Sequence, residues 1–190
     1  MKAIAICLIL FVFAYHADAQ TIHFASAGSM VQNHIYYVLP DSLTDLEQNK
    51  ARMESKTKGM GFGGSEGGFV MDGEKSTVRI KPGDTLHFAV KMAMAMGMAD
   101  PTIMIRLYKF EGKKGSRIAI ISSQGGKYSK GKNSDNTNGI YFNVQKETDE
   151  FILIPANKLA PGEYGFLNMM MVNRESSTSM SYTVFGFGID

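Results

Sequence analysis

The chain has 190 residues, 20 lysines and arginines against 18 acids, and a formal net charge of +2. A balance this close to neutral does not indicate whether the partner is a polyanion, but the single cysteine, Cys7, excludes a disulfide-stapled fold. A chain of this length suffices for one ordinary domain held by a hydrophobic core.

The N-terminus has the pattern of a secretory signal peptide. Lys2 precedes an apolar run over residues 3–14, and Ala17-Asp18-Ala19 precedes the polar Gln20. The run is shorter than the about 20 apolar residues of a spanning helix. We therefore expect cleavage of residues 1–19 in a bacterial-type cell. The cysteine-free mature chain would be periplasmic, on the outer surface or extracellular, without a transmembrane segment.

Beyond the leader, apolar residues recur mostly with a period of two, as in half-buried strands. In residues 85–92, Leu86, Phe88, Val90 and Met92 would share one face of an extended chain. Similar runs occupy residues 33–39, 77–81, 102–110, 117–122, 139–144, 150–155, 164–172 and 181–187. Turn formers such as Asn138-Gly139 separate them. The pattern predicts a mostly β fold, a single antiparallel β-sandwich over residues 20–190, Ig-like or jelly-roll-like.

One segment departs from this period. Ser42 and Asp45 resemble a capping box, and Leu43, Leu46 and Met53 could share a helix face. We therefore predict a short helix over residues 43–55, with an irregular polar strand as the alternative.

Residues 59–68 are rich in glycine and predict a flexible loop. Residues 59–64 satisfy the G-x-G-x-x-G pattern of dinucleotide-binding proteins. That motif needs a buried strand before it and a helix after it, and this sequence has neither. We therefore do not expect a nucleotide cofactor.

Basic residues gather between positions 109 and 132, and they are Lys109, Lys113, Lys114, Arg117, Lys127, Lys130 and Lys132. Such a surface could bind a phosphorylated headgroup or an acidic polysaccharide. A solvated strand edge is the more ordinary interpretation. Few aromatic residues lie among these cations, so nucleic acid is not an expected partner.

The most distinctive pattern is a methionine row. Met92, Met94, Met96 and Met98 alternate with small residues, so an extended chain would align four thioethers. Thioethers are soft ligands that suit Cu(I) or Ag(I). Core packing is the competing interpretation, because methionine fills irregular interiors well. Thioethers near the surface would favour a metal, and burial among Phe88, Ile103 and Phe166 would favour packing.

Catalytic motifs are missing from the sequence. There is no G-x-S-x-G or His-Glu-x-x-His motif, and the expected mature chain has no thiol. The neighbouring Asp149 and Glu150 would point to opposite faces of a strand. We therefore expect no enzyme activity and no cofactor.

Residues 159–166, Leu-Ala-Pro-Gly-Glu-Tyr-Gly-Phe, and the terminal residues 185–190 resemble the closing part of uncharacterised secreted bacterial β-rich domains. Residues 37–40 and 74–80 extend the resemblance over most of the mature chain. Its motifs are structural: L-x-P-G-E-Y is a turn that feeds a late strand. The resemblance implies a β fold but no substrate.

Two functions follow as hypotheses. The first is a non-catalytic envelope or extracellular module that binds an envelope protein or a glycan through the loops at residues 59–68 and 112–138. The second is a soft-metal carrier that uses Met92, Met94, Met96 and Met98.

Overall fold

A computed structural model describes residues 30–57, 64–92, 100–125, 134–135, 137–147, 150–174 and 180–190. The predicted leader and Met94, Met96 and Met98 lie outside these described residues. Within the described ranges the chain forms fourteen strands and one four-residue helix. The fold is therefore mostly β, as the sequence predicts.

The elements, in chain order, are β1 (Ile35–Val38), β2 (Leu43–Asp45), β3 (Glu47–Thr57), β4 (Gly64–Asp72), β5 (Arg79–Ile80), β6 (Phe88–Lys91), α1 (Pro101–Met104), β7 (Ile105–Lys113), β8 (Ser116–Gly125), β9 (Ser134–Asp135), β10 (Gly139–Ile140), β11 (Phe142–Glu147), β12 (Glu150–Pro155), β13 (Gly162–Arg174) and β14 (Met180–Ile189).

Five of these strands form one antiparallel sheet, with the spatial order β11-β12-β6-β1-β2. Six others form a closed ring in the order β7-β13-β14-β3-β4-β8. The ring closes where β7 pairs with β8, from Glu111 opposite Ile118 to Lys113 opposite Ser116. Three short strands extend the ring: β10 pairs with β7, β9 with β8, and β5 with β14.

The prediction of a single β-sandwich is therefore wrong. The structure is a closed six-strand β-barrel with a separate five-stranded sheet. Alternating side chains locate strands but carry no information about which strands pair at long range. The ring depends on the pairings of β14 with β3 and of β13 with β7, which join distant parts of the chain.

The barrel strands that face the sheet are buried on both sides. Ile105 and Leu107 of β7 lie in a core shared with the five-stranded sheet, which we call the interface core. Tyr108 and Phe110, on the opposite face of the same strand, lie in a second core inside the barrel. The interface core also receives Phe88 from the sheet, which stacks edge-on against Phe166 at 4.9 Å between ring centroids.

The predicted helix over residues 43–55 is also wrong, because this segment forms β2 and most of β3. Inside the barrel β3 presents Glu47 and the small Ala51 instead of large apolar residues. The strand therefore lacks the hydrophobic alternation that would identify it in a sequence.

The predicted loop over residues 59–68 is wrong in its described part, because Gly64 to Gly68 belong to β4. Every other predicted run overlaps a strand, and β12 has the expected bounds of Glu150–Pro155. The run over residues 102–110 begins in the helix α1 and becomes a strand only at Ile105. Asp100 caps a helical turn there, with its carboxylate accepting a hydrogen bond of 2.8 Å from the Thr102 amide.

Candidate functional site

An open cleft of about 680 Å³ lies beside the turn between β1 and β2 and the start of β3. Ligand-binding pockets commonly have volumes of about 300–1,000 Å³. The cleft joins the edge of the five-stranded sheet to the barrel. Its described lining residues are Val31, His34, Tyr36, Asp41, Ser42, Leu43, Asp45, Leu46 and Gln48.

The lining of this cleft combines polar and apolar residues. Asp41, Asp45 and Gln48 are exposed, whereas Tyr36 and Leu46 are buried. Lysine and arginine are missing from the described lining, so its formal charge is negative with neutral histidine. The cleft therefore suits a ligand that donates hydrogen bonds and is neutral or cationic.

Two aromatic side chains fix the shape of the cleft. The Val31 amide donates a hydrogen bond of 3.1 Å to the Tyr36 hydroxyl, which holds the chain against that ring. The His34 ring packs on Phe185 of β14, with 5.4 Å between ring centroids. Because Phe185 is 1% exposed and belongs to the interface core, His34 rests on a rigid support.

Sequence reasoning missed this cleft. It assigned Ser42 and Asp45 to a helix cap, whereas they belong to the turn and short strand that follow β1. The available signal was Pro40-Asp41-Ser42, a turn-forming triplet directly after an apolar run.

A second polar cluster lies at one end of the barrel and extends from the buried Arg117 to the exposed Asp190. Arg117 is 0% exposed, and its two terminal nitrogens each lie 3.1 Å from a Glu47 carboxylate oxygen. Its Nη1 also lies 3.7 Å from Glu163. Glu163 is bound in turn by Arg79, which reaches Asp190 with its other terminal nitrogen, each pair at 2.5 Å.

These contacts change the ionisation of the cluster. Burial alone would raise the pKa of Glu47, but hydrogen bonds, chiefly from Arg117, outweigh burial and lower its pKa overall. The hydrogen bond from Arg79 lowers the pKa of Asp190. Hydrogen bonds to Asp190 and Glu163 raise the pKa of Arg79. These shifts favour the charged forms of Glu47, Asp190 and Arg79.

The contacts around this cluster indicate a structural role. The Arg117 Nε–H donates to the Gly73 carbonyl at 3.0 Å, and the Ser76 amide donates to Glu163 at 2.7 Å. Its charges are satisfied by one another and by the backbone, as buried charges require. Arg117 was predicted to belong to an exposed basic surface, and that prediction is wrong.

The rest of the predicted basic surface is divided. Lys113 and Lys114 are exposed at the hairpin between β7 and β8, and Lys109 is half-buried. Lys127, Lys130 and Lys132 lie outside the described residues. The segment proposed as a binding loop over residues 112–138 is mostly strand where it is described, in β7, β8 and β9.

Of the predicted methionine row, Met92 is the described member. It follows β6, is 4% exposed and lies in the interface core with Phe88 and Phe166. Ile103, the third residue named for the packing interpretation, is 60% exposed. A metal site on Met92, Met94, Met96 and Met98 stays a prediction.

Two further results concern metals and membranes. Among the described residues, no three histidine, cysteine, aspartate or glutamate side chains are grouped as a metal site requires. The described part of the chain also contains no helix of the length and hydrophobicity needed to span a bilayer.

Comparison with known proteins found no counterpart: no family model matches the chain, and no curated protein or solved structure proved similar to it.

Proposed function

We propose that this protein is an exported, non-catalytic binding module whose ligand occupies the cleft between the five-stranded sheet and the barrel. The ligand is a small polar molecule, neutral or cationic, such as an amine or a sugar unit of a glycan. The proposal depends on the composition of the cleft, whose lining combines hydrogen-bonding side chains with apolar ones.

The position of the cleft supports a binding role. Catalytic and binding residues are commonly carried by loops on a rigid scaffold. Here the turn at Asp41 and Ser42 projects from a sheet whose other strands pack on the barrel through the interface core. The protein side chains that bind the ligand would therefore be held in position before binding, which lowers the entropic cost of association.

The charged groups of the cleft differ from those of the cluster around Arg117 in their ion-pair partners. The buried charges around Arg117 are engaged with one another. In the cleft, the described side chains of Asp41 and Asp45 have no ion-pair partner among the described residues. Exposed carboxylates of this kind suit recognition of a donor-rich ligand.

Titration with small ligands, monitored through the amide NMR signals of the protein, tests the proposal. Putrescine, glucose and succinate are cationic, neutral and anionic probes of small size. We expect putrescine to shift the amides of Val31, His34 and Leu43 most, glucose less, and succinate not at all. The double variant Asp41→Asn/Asp45→Asn should lose the putrescine shifts.

Asp72→Asn is the matched control, because Asp72 is an exposed barrel carboxylate outside the cleft lining. It should leave the putrescine shifts unchanged. The proposal is wrong if succinate shifts these amides as much as putrescine does, or if the shifts map to another surface.

A further inference from the structure

Methionines from three separate parts of the chain lie in the interface core or pack against it. Met92 follows β6 and belongs to this core. Met104 ends α1, and Met170 and Met171 lie in β13, and all three pack against the core from positions that are partly buried. The helix that carries Met104 contacts β13 directly.

A chain of hydrogen bonds holds these segments together. The Asn33 amide donates to the carbonyl of Lys91, the residue before Met92, at 2.7 Å. The Asn168 side-chain amide donates to the Asn33 carbonyl at 2.9 Å. The carboxamide oxygen of Asn168 accepts a hydrogen bond of 3.0 Å from the Met170 amide. Through Asn168, which is 0% exposed, the end of β6 is tied to the methionines of β13.

The methionines of β13 occupy an irregularity in the strand. The pairing of β13 with β14 shifts register between Asn168 and Val172, so Met169, Met170 and Met171 fall in a β-bulge. Bulges commonly redirect side chains next to functional sites. Here the bulge places both Met170 and Met171 against the interface core, although neighbouring residues on a regular strand face opposite sides.

The chemistry of such a cluster is specific. Thioethers are uncharged and polarisable, and they select soft monovalent ions such as Cu(I) over hard cations. Met92 is buried, whereas Met104, Met170 and Met171 are partly accessible to solvent. An ion could therefore enter without opening the core.

We propose that Met92, Met104, Met170 and Met171 form a thioether site for a soft monovalent cation, Cu(I) or its redox-inert analogue Ag(I). This site shares only Met92 with the methionine row in the sequence and uses different residues from the cleft. The proposal therefore does not depend on the cleft binding its ligand.

Titration with Ag(I), monitored through the ¹³C-methyl NMR signals of the methionines, tests the site. The protein is used with Cys7→Ser wherever the leader is retained, so that a thiol does not compete. We expect one ion per chain and shifts of the Met92, Met104, Met170 and Met171 methyl signals. Because this measurement is made with all methionines unaltered, its result does not depend on whether a methionine variant folds.

Substitution then tests the ligand set. Met104→Leu/Met170→Leu/Met171→Leu should lose stoichiometric binding while keeping the far-UV circular dichroism of the parent. The control is Met53→Leu/Met71→Leu, which removes one exposed methionine and one from the barrel core, and it should bind normally.

The proposal is overturned if Ag(I) fails to bind, or if the triple variant folds and still binds. It is equally overturned if Met94→Leu/Met96→Leu/Met98→Leu loses the ion while the triple variant keeps it. That last result would favour the methionine row instead.

Discussion

Asn33 adopts a left-handed backbone conformation, with φ of 64°, at the point where the chain enters β1. Its amide and carbonyl both take part in the hydrogen bonds that connect β6 with β13. Its carboxamide oxygen is buried and has no hydrogen-bond partner among the described residues. The side chain is therefore less important here than the backbone conformation, which asparagine and glycine tolerate better than other residues.

This reasoning predicts a difference between two substitutions at one position. Asn33→Gly and Asn33→Ala both remove the unpartnered oxygen, but alanine is strained at positive φ. We expect Asn33→Gly to be more stable than Asn33→Ala by about 1 kcal/mol. Urea unfolding of both variants measures the difference. Equal stabilities would show that this backbone conformation relaxes freely.

At the scale of single elements, β4 depends on two glycines at a bulge opposite β8. The register of the pair shifts between Gly67 and Gly68. A Cβ at Gly68 would lie 2.5 Å from the backbone oxygen of Ala119, whereas one at Gly67 would meet the side-chain oxygen of Ser122 at 2.9 Å. A backbone oxygen in a strand cannot move aside, but a serine hydroxyl can rotate.

Gly68→Ala should therefore destabilise the barrel by about 1–3 kcal/mol, the usual cost of overpacking. Gly67→Ala, its neighbour in the same strand, serves as the matched control and should cost less. Thermal unfolding of the two variants side by side checks the order. If Gly67→Ala proved the more harmful, the close approach of β4 to β8 would not be the reason for glycine at position 68.

The glycines also show why the sequence reveals some elements and hides others. Residues 150–155 can be recognised as a strand because the run contains large apolar side chains, which the structure mostly buries. By contrast, β4 begins with Gly64, Gly67 and Gly68, which have no side chains to form an alternating pattern. The same residues that permit the close strand approach thus made this segment look like a loop.

At the scale of the whole molecule, the ion cluster joins parts of the chain that are far apart in sequence. Arg117 and Glu47 are 70 residues apart, and Arg79 and Asp190 are 111 apart. A sequence identifies Arg117 as a cation in a basic stretch, but its burial depends on counterions supplied by other strands. Likewise, a local pattern could indicate the turn at Pro40-Asp41-Ser42, but the position of that turn beside β3, which forms the cleft, depends on long-range pairing.

The cluster predicts how stability depends on pH. The pKa of Glu47 is lower in the folded protein than its ordinary value of 4.5, chiefly because hydrogen bonds from Arg117 outweigh burial. A lowered pKa contributes stability that is fully present above 4.5 and is lost as the pH falls through the folded value. We therefore expect the free energy of unfolding to decrease on acidification below that pH.

Glu47→Gln should be less stable at neutral pH, because it leaves Arg117 with a weaker partner, and should lose less stability in acid than the parent does. Urea unfolding across the acidic range measures both effects. Glu111→Gln, which removes an exposed carboxylate, is the control and should keep the parent profile. An unchanged profile in Glu47→Gln would exclude this pair as the source of the acid sensitivity.

The ring order of the barrel has a consequence for how the protein is made. The strand β14, which ends at residue 189, lies between β13 and β3. Because β14 is the last of the six described ring strands in chain order, the ring cannot close during translation until β14 has left the ribosome. Long-range closure of this kind is slow, so the nascent chain would keep unpaired strand edges exposed to other chains until β14 is added.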